Sequence, residues 1–357
     1  MVQRIRSGHG ARNARRCDRS GRRSVRLPEH AGLVGENPGF LFDLDERPAG
    51  FDRERLRDRL QALAAQGIYV GGSSWKYEGW LGQIYSRSLY QTRGKFSKNL
   101  FEDTCLAEYA SVFPTVCGDF AFYQFPSEAF WAKLFRQTPD PAFRWAFKVP
   151  EQITVPVWPV HPRYGALAGL ESPTFLDGTL FEQAFLRVLD PYRQQIGALI
   201  FEFGTFRERS FASDSDFVKV LDPFLDRLPE GWRFAVEIRN AEFLTPLYFD
   251  CLRAHRVTHV YNAWTRMPEI ADQMRIAGSQ TTDLVVARAL LRRGRPYEEG
   301  VRTFSPYDQV RDVNEPVRQG LRELIHTARV NGRPAFIYVN NRLEGNSPAT
   351  IAVVAEE

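Results

Sequence analysis

The chain has 357 residues, of which 43% are apolar, 25% charged and 13% aromatic, and a formal net charge of +4. It is long enough for one large core, and no stretch approaches the roughly 18 uninterrupted apolar residues of a membrane helix, so no membrane span or membrane partner is expected. The four cysteines, Cys17, Cys105, Cys117 and Cys251, stand far apart with no C-x-x-C pair, which excludes a disulfide framework or zinc knuckle and suits a reducing, cytoplasmic setting.

Residues 1–50 read as an Arg-rich, disordered extension. Its first 30 residues hold nine arginines against Asp18 and Glu29, so this segment carries +7 and the rest of the chain −3. The basic balance that would suggest nucleic acid therefore belongs to the tail, and the acidic body argues against a nucleic-acid role for the folded part. The tail superficially resembles a transit peptide, but a disordered extension, or upstream codons included by a wrong start, is the reading favoured.

Residues 51–66 follow as a lead-in helix, with Leu56, Leu60 and Leu63 at helical spacing and Gly67 as its stop. From 67 to 357 short β-rich runs alternate with longer helical ones. The runs are Ile68–Gly71, Phe120–Tyr123, Arg144–Val149, Ala198–Phe203, Arg233–Ile238, Thr258–Asn262, Leu284–Arg288 and Ala335–Asn340. Helix-like stretches fall near 99–112, 127–137, 179–192, 213–227, 245–255, 266–275 and 313–330. Eight strands alternating with helices predict an α/β fold, a TIM-type (β/α)8 barrel. A doubly wound sheet would show a G-x-G-x-x-G turn, and Val70-Gly71-Gly72-Ser73-Ser74-Trp75 lacks that spacing. The Pro- and Gly-rich stretch from Pro150 to Asp177 is too long for a connector, and such loops are lids, binding loops or disordered.

Side chains alternate along a strand, so each run divides into two faces. One face carries Trp145, Phe147 and Val149, or Leu199, Phe201 and Phe203, or Phe234, Val236 and Ile238. The other carries small residues and then a charge: Ala146 and Lys148, Ala198 and Glu202, Ala235, Glu237 and Arg239. In a barrel the bulky face meets the helices and the charges converge on the C-terminal mouth, where barrel enzymes keep their chemistry. Trp75, Tyr123, Asn262, Trp264, Arg288, Asn340 and Asn341 occupy equivalent places on the other strands.

Each of these residues has a plainer reading. Glu237 and Arg239, two apart on one face, could form a structural ion pair. Glu202 and Glu237 could be the paired carboxylates of a glycosidase, although neighbouring strands leave them close together. Trp75, Tyr123 and Trp264 could be core rather than stacking platforms, and Asn340-Asn341 could merely shape a turn. No metal and no cofactor are expected. The histidines (His9, His30, His161, His255, His259 and His326) form no ligand pair, and His259 falls on the helix-facing side of its strand. There is no G-x-S-x-G, and no cysteine ends a predicted strand.

The segments Tyr69–Trp75 with Trp80, Phe122–Ser127, Phe147–Pro150, Ala235–Arg239 and Tyr338–Asn341 with Gly345–Pro348 resemble, in order, the YecE-like family, domain of unknown function 72. The resemblance runs from about Ile68 to Ile351 and implies a TIM barrel but no reaction. It also implies that Trp75, Tyr123, Lys148, Glu237, Arg239, Arg288 and Asn340 share one mouth. The chain departs from the family at Glu202-Phe203-Gly204-Thr205, where many members have Gln then Pro-Pro, and at Arg288-Ala289-Leu290-Leu291, where many have Arg-Leu-His-Gly.

The function expected is metal-independent acid/base chemistry on a small polar or anionic metabolite. Glu237 would be the acid/base, Lys148 an electrostatic or Schiff-base group, and Arg239 and Arg288 anion anchors. A non-catalytic ligand-binding barrel and a nucleic-acid role through the tail remain alternatives.

Overall fold

Eight short strands end on parallel neighbours all the way round and close a barrel. The structure, a computed structural model, describes residues 51–207 and 209–356, so the expected extension over 1–50 lies outside the described residues. The strands are β1 (Ile68–Gly72), β2 (Thr115–Gly118), β3 (Arg144–Lys148), β4 (Ile196–Glu202), β5 (Phe234–Glu237), β6 (Thr258–Ala263), β7 (Val285–Ala289) and β8 (Ala335–Val339). They pair in sequence order, and β1 closes on β8 in the register Ile68 to Ala335 through Gly72 to Val339. This is the expected (β/α)8 architecture.

The division into two faces explains how the barrel fills. Cys117, Ala146, Ala198 and Ala235 point inward on β2 to β5, and their small size leaves room for Tyr69, Phe336 and Tyr338 from β1 and β8. Tyr69 and Phe336 stack with ring centroids 5.0 Å apart, and the Tyr338 hydroxyl lies 3.2 Å from Thr115 Oγ1. The opposite faces, carrying Trp145, Phe147, Phe201 and Val236, pack into the core shared with the helices. His259 is on that outer side, its Nδ1 3.2 Å from the Tyr248 hydroxyl. Burial pushes its pKa down to about 3, so it is a neutral packing group.

The helices begin and end where capping chemistry places them. Asp52, Ser127 and Thr245 cap the helices Arg53–Ala64, Glu128–Phe135 and Pro246–Ala254, each side chain accepting from a backbone N–H in the first turn. Pro246 fills the first position of the last of these. Asn331 ends Glu315–Val330, with Gly332 at φ +61° just beyond. Tyr297–Phe304 and Ser347–Val354 are further helices, and a small hairpin pairs Gln91–Thr92 with Lys95–Phe96. The long segment after β3 is built from the short helices Glu151–Thr154 and Pro162–Leu167 and a bridge between Val157 and Glu171. No helix among the described residues is long and apolar enough to cross a membrane.

One strand differs from expectation. Phe120–Tyr123 is not β2; it belongs to a 3-10 turn, Asp119–Tyr123, and the strand is Thr115–Gly118 just before it. The alternating aromatics imitate strand periodicity, but Phe120 turns back onto Trp75, Trp131 and Phe147. Cys117 consequently lies on a strand, one residue from its end.

At the β1–β2 contact, a Cβ on Gly71 would overlap the Thr115 backbone carbonyl, which cannot swing aside as a side chain could. Gly71→Ala is therefore expected to cost about 1–3 kcal/mol and to lower Tm by at least about 2 °C in thermal unfolding. An unchanged Tm would show that the strands are not this close.

Candidate functional site

Register gathers the strand-end charges. Glu202 at the end of β4 lies beside Glu237 at the end of β5, and Asn262 on β6 lies beside Arg288 on β7. Each follows an inward-facing Ala or Val two residues earlier (Ile200 in the case of Glu202), so alternation aims it at the barrel axis just above the apolar interior. Arg288 occupies the centre and is 1% exposed. Its Nη1 donates to Glu202 Oε2 at 2.5 Å and Glu237 Oε2 at 2.6 Å, and its Nη2 donates to Asp119 Oδ1 at 3.0 Å.

Two more cations close on the same carboxylates. Lys148 Nζ is 2.9 Å and Arg239 Nη2 is 2.8 Å from Glu202 Oε2, the oxygen that Arg288 already holds. Arg239 Nε also donates to Glu237 Oε1 at 3.2 Å. Burial alone would raise the pKa of Glu202, but Arg239, Lys148 and Arg288 together overcome it and hold the carboxyl well below its usual range. Burial likewise works against the charge of Arg288, and Glu237, Cys117, Asp119 and Glu202 reverse the effect. The Cys117 thiol beneath the cluster is pushed up to about 12 by burial, so it is no ready nucleophile.

Aromatic rings roof the outer edge. Lys148 Nζ sits 3.7 Å from the Phe122 ring centroid, and the Arg239 guanidinium lies 3.7 Å over Trp264. Tyr123, the most exposed of these rings, carries Arg163 at 4.6 Å. Arg163 in turn holds Glu151 at 2.5 Å, which also accepts from the Tyr164 hydroxyl at 2.9 Å. Burial raises the pKa of Glu151 despite these partners. On another side Arg342 lies over Tyr297 at 4.6 Å, within electrostatic reach of Tyr77, Tyr307 and Asp119.

Lys148, Glu202, Glu237, Arg239 and Arg288 thus come together, with Tyr123 and Trp264 at the rim. Of the other four predicted residues, Asn262 shares the axial face beside Arg288 but is tied to backbone, and the remaining three lie elsewhere. Trp75 is core, edge-on to Trp145 and Phe120. Asn262 is fully buried, with its Nδ2 donating to the Ile238 carbonyl. Asn340 donates to Ser73 Oγ and accepts from the Arg342 backbone. Asn341 accepts from the Ser347 backbone and from Trp80 Nε1. Both asparagines shape the turn and tie it to the segment after β1. The glutamates do not have the open gap that a glycosidase pair needs, because an arginine nitrogen bonds both.

Sequence reasoning missed Asp119, Phe122, Glu151, Arg163 and Arg342. Asp119 was hidden by the misplaced second strand; once β2 ends at Gly118, it is the first residue past a strand end. Arg163 and Glu151 meet only because the segment after β3 folds back, which no local spacing announces. Away from the mouth, Cys251 and His255, at the C-terminal end of the helix Pro246–Ala254, meet Asp222 on the neighbouring helix, a proximity that sequence spacing does not announce.

Over residues 69–357 the chain matches the family described as "Protein of unknown function DUF72". Among solved structures it is similar to a DUF72 family protein from Thermotoga maritima, with a TM-score of 0.52 and 19% identity over 80% of this chain and 96% of that one. It is also similar to one from Enterococcus faecalis, with a TM-score of 0.50 and 16% identity over 81% and 94%. At these identities the likeness speaks for the fold alone. No curated protein matches.

The lowered pKa of Glu202 has a definite sign in stability. Its contribution is complete above the ordinary value of 4.5 and is lost as pH falls below it towards the lower folded value. In urea unfolding, the wild type is expected to lose stability from about pH 5 to about pH 3 more steeply than Glu202→Gln. Equal slopes would remove Glu202 from the ionic cluster.

Proposed function

The chain belongs to the DUF72 family, and we propose that its barrel mouth holds a small anionic metabolite on Lys148 and Arg239 and acts on it by acid/base chemistry through Glu237. The observation that carries this reading is the crowding at Glu202 Oε2, where Lys148, Arg239 and Arg288 all converge on one oxygen. Three like charges around a single acceptor repel one another in a poorly screened site. An anion entering from solvent relieves that repulsion by drawing off the two outer cations, whose side chains are 8% and 12% exposed. Arg288 stays, bound to all three carboxylates.

The chemistry follows from the same exchange. With Arg239 turned towards the ligand, Glu237 Oε1 loses its partner and becomes free to take or return a proton. Asp119, 29% exposed, is the carboxylate nearest solvent for passing that proton outward. Phe122 and Trp264 flank the two mobile cations and limit water around them. Lys148, already ion-paired, serves electrostatically rather than as a Schiff-base amine. The second reading, a barrel that binds and does not convert, draws on the complete burial of Glu237.

The test is mass spectrometry of small molecules released from the purified protein, followed by binding and turnover assays with the anions identified. Arg239→Ala and Lys148→Ala should each weaken anion binding by about tenfold or more. Glu237→Gln should keep binding and lose turnover by about 100-fold or more. A ligand released and rebound unchanged, with no product under any condition, supports the binding reading. Unchanged affinity in both cation variants would overturn anion recognition at the mouth.

A further inference from the structure

Far from the mouth, three side chains of metal-ligating type meet between two helices of the outer ring. Cys251 lies in the helix Pro246–Ala254 and His255 caps its C-terminal end, so four residues of helical spacing put both on one face. Asp222, on the neighbouring helix Asp214–Leu225, reaches across to them. Its Oδ1 is 2.8 Å from His255 Nε2 and 3.8 Å from Cys251 Sγ, and the three ligand atoms all lie within 4.8 Å of one another. Tetrahedral zinc, with bonds of about 2.0–2.3 Å, needs its ligand atoms roughly 3.3–3.6 Å apart. The two Asp222 distances already bracket that range, so closing the three atoms on one ion turns on the Cys251–His255 separation, with Asp222, whose side chain is 57% exposed, able to follow.

From this arrangement we propose that Asp222, Cys251 and His255 form a binding site for a zinc-type divalent cation. A thiolate, an imidazole and a carboxylate are a borderline-soft donor set, which favours zinc or cobalt over magnesium or calcium. Three protein ligands with an exposed Asp222 leave the fourth position to water. On binding, the Cys251 thiol gives its proton to solvent and its sulfur bonds the metal, with no change of oxidation state. Asp226, one turn beyond Asp222, puts a carboxylate oxygen 4.0 Å from His255 Nδ1, the ring nitrogen that would not hold the metal; that is outside hydrogen-bond distance, and a change of rotamer of this exposed side chain would bring it within reach. Metal-bound histidines use such a carboxylate to fix their tautomer and orientation.

The position in the fold defines what the ion would do. Barrel helices run back against the strands, so the end of the helix that leads into β6 lies opposite the mouth. An ion there joins the helices that follow β4 and β5, and acts on stability rather than on the ligand site.

The test is titration of the full-length, reduced, metal-free protein with Co2+, following the thiolate-to-cobalt charge-transfer absorption. One equivalent should bind, with the band abolished by Zn2+ and absent from Cys251→Ser. His255→Gln and Asp222→Asn should bind at least about 10- to 100-fold more weakly, the loss expected even for a supporting partner. Zn2+ should raise the Tm of the wild type and leave that of Asp222→Asn almost unmoved. Asp222→Asn alters an exposed side chain, so it stays informative if Cys251→Ser fails to fold. The absence of a charge-transfer band in the wild type, or an unchanged band in Cys251→Ser or in Asp222→Asn, would overturn the site and leave an ordinary His–Asp ion pair. Neither result bears on the mouth, which contributes none of these ligands.

Discussion

A guanidinium buried on the barrel axis is the constraint around which the mouth is built. Removing such a charge from water costs several kcal/mol unless its donors are paired. Arg288 meets that cost with carboxylates from three separate places in the chain: the turn after β2, the end of β4 and the end of β5. Glu202 and Glu237, both buried, would be as costly alone, whereas Asp119 keeps its side chain partly in solvent. The end residues of the strands are thus fixed by one another, and Lys148 and Arg239 complete a charge arrangement that no single strand could stabilise.

Below that layer the barrel is filled unevenly. Small side chains on β2 to β5 face aromatic ones on β1 and β8, so the interior is filled by side chains of unequal size and the ionic layer rests on hydrocarbon. Above it, aromatic faces cover the cations while leaving Asp119 and the edge of Arg239 within reach of solvent. The charge network gains strength from the poorly polarisable surroundings and keeps one accessible side.

Much of this was legible in the sequence because strand alternation is strict. Ala146 before Lys148, Ala198 and Ile200 before Glu202, and Ala235 before Glu237 identify the axial face without coordinates. The pairing of partners was not legible: nothing in the spacing of Glu202, Glu237 and Arg288 says that one nitrogen bonds two carboxylates. The second strand was misread because Phe120 and Phe122 imitate a period of two inside a 3-10 turn, and that error concealed Asp119. Asn340, Asn341 and Trp75 satisfied the rule for strand-end residues, yet their side chains are used by neighbouring backbone or by core rings. Arg163 and Arg342 come from connecting segments, where the path of the chain decides what a side chain meets.

The most direct test of the Arg288 hub is a double-mutant cycle in equilibrium unfolding, comparing wild type, Arg288→Met, Glu237→Gln and the double variant. Arg288→Met alone should lose about 3–5 kcal/mol, because it strands buried carboxylates. Adding Glu237→Gln should restore at least about 1 kcal/mol by removing one of those charges. Losses that simply add, or an Arg288→Met variant as stable as the wild type, would contradict the account.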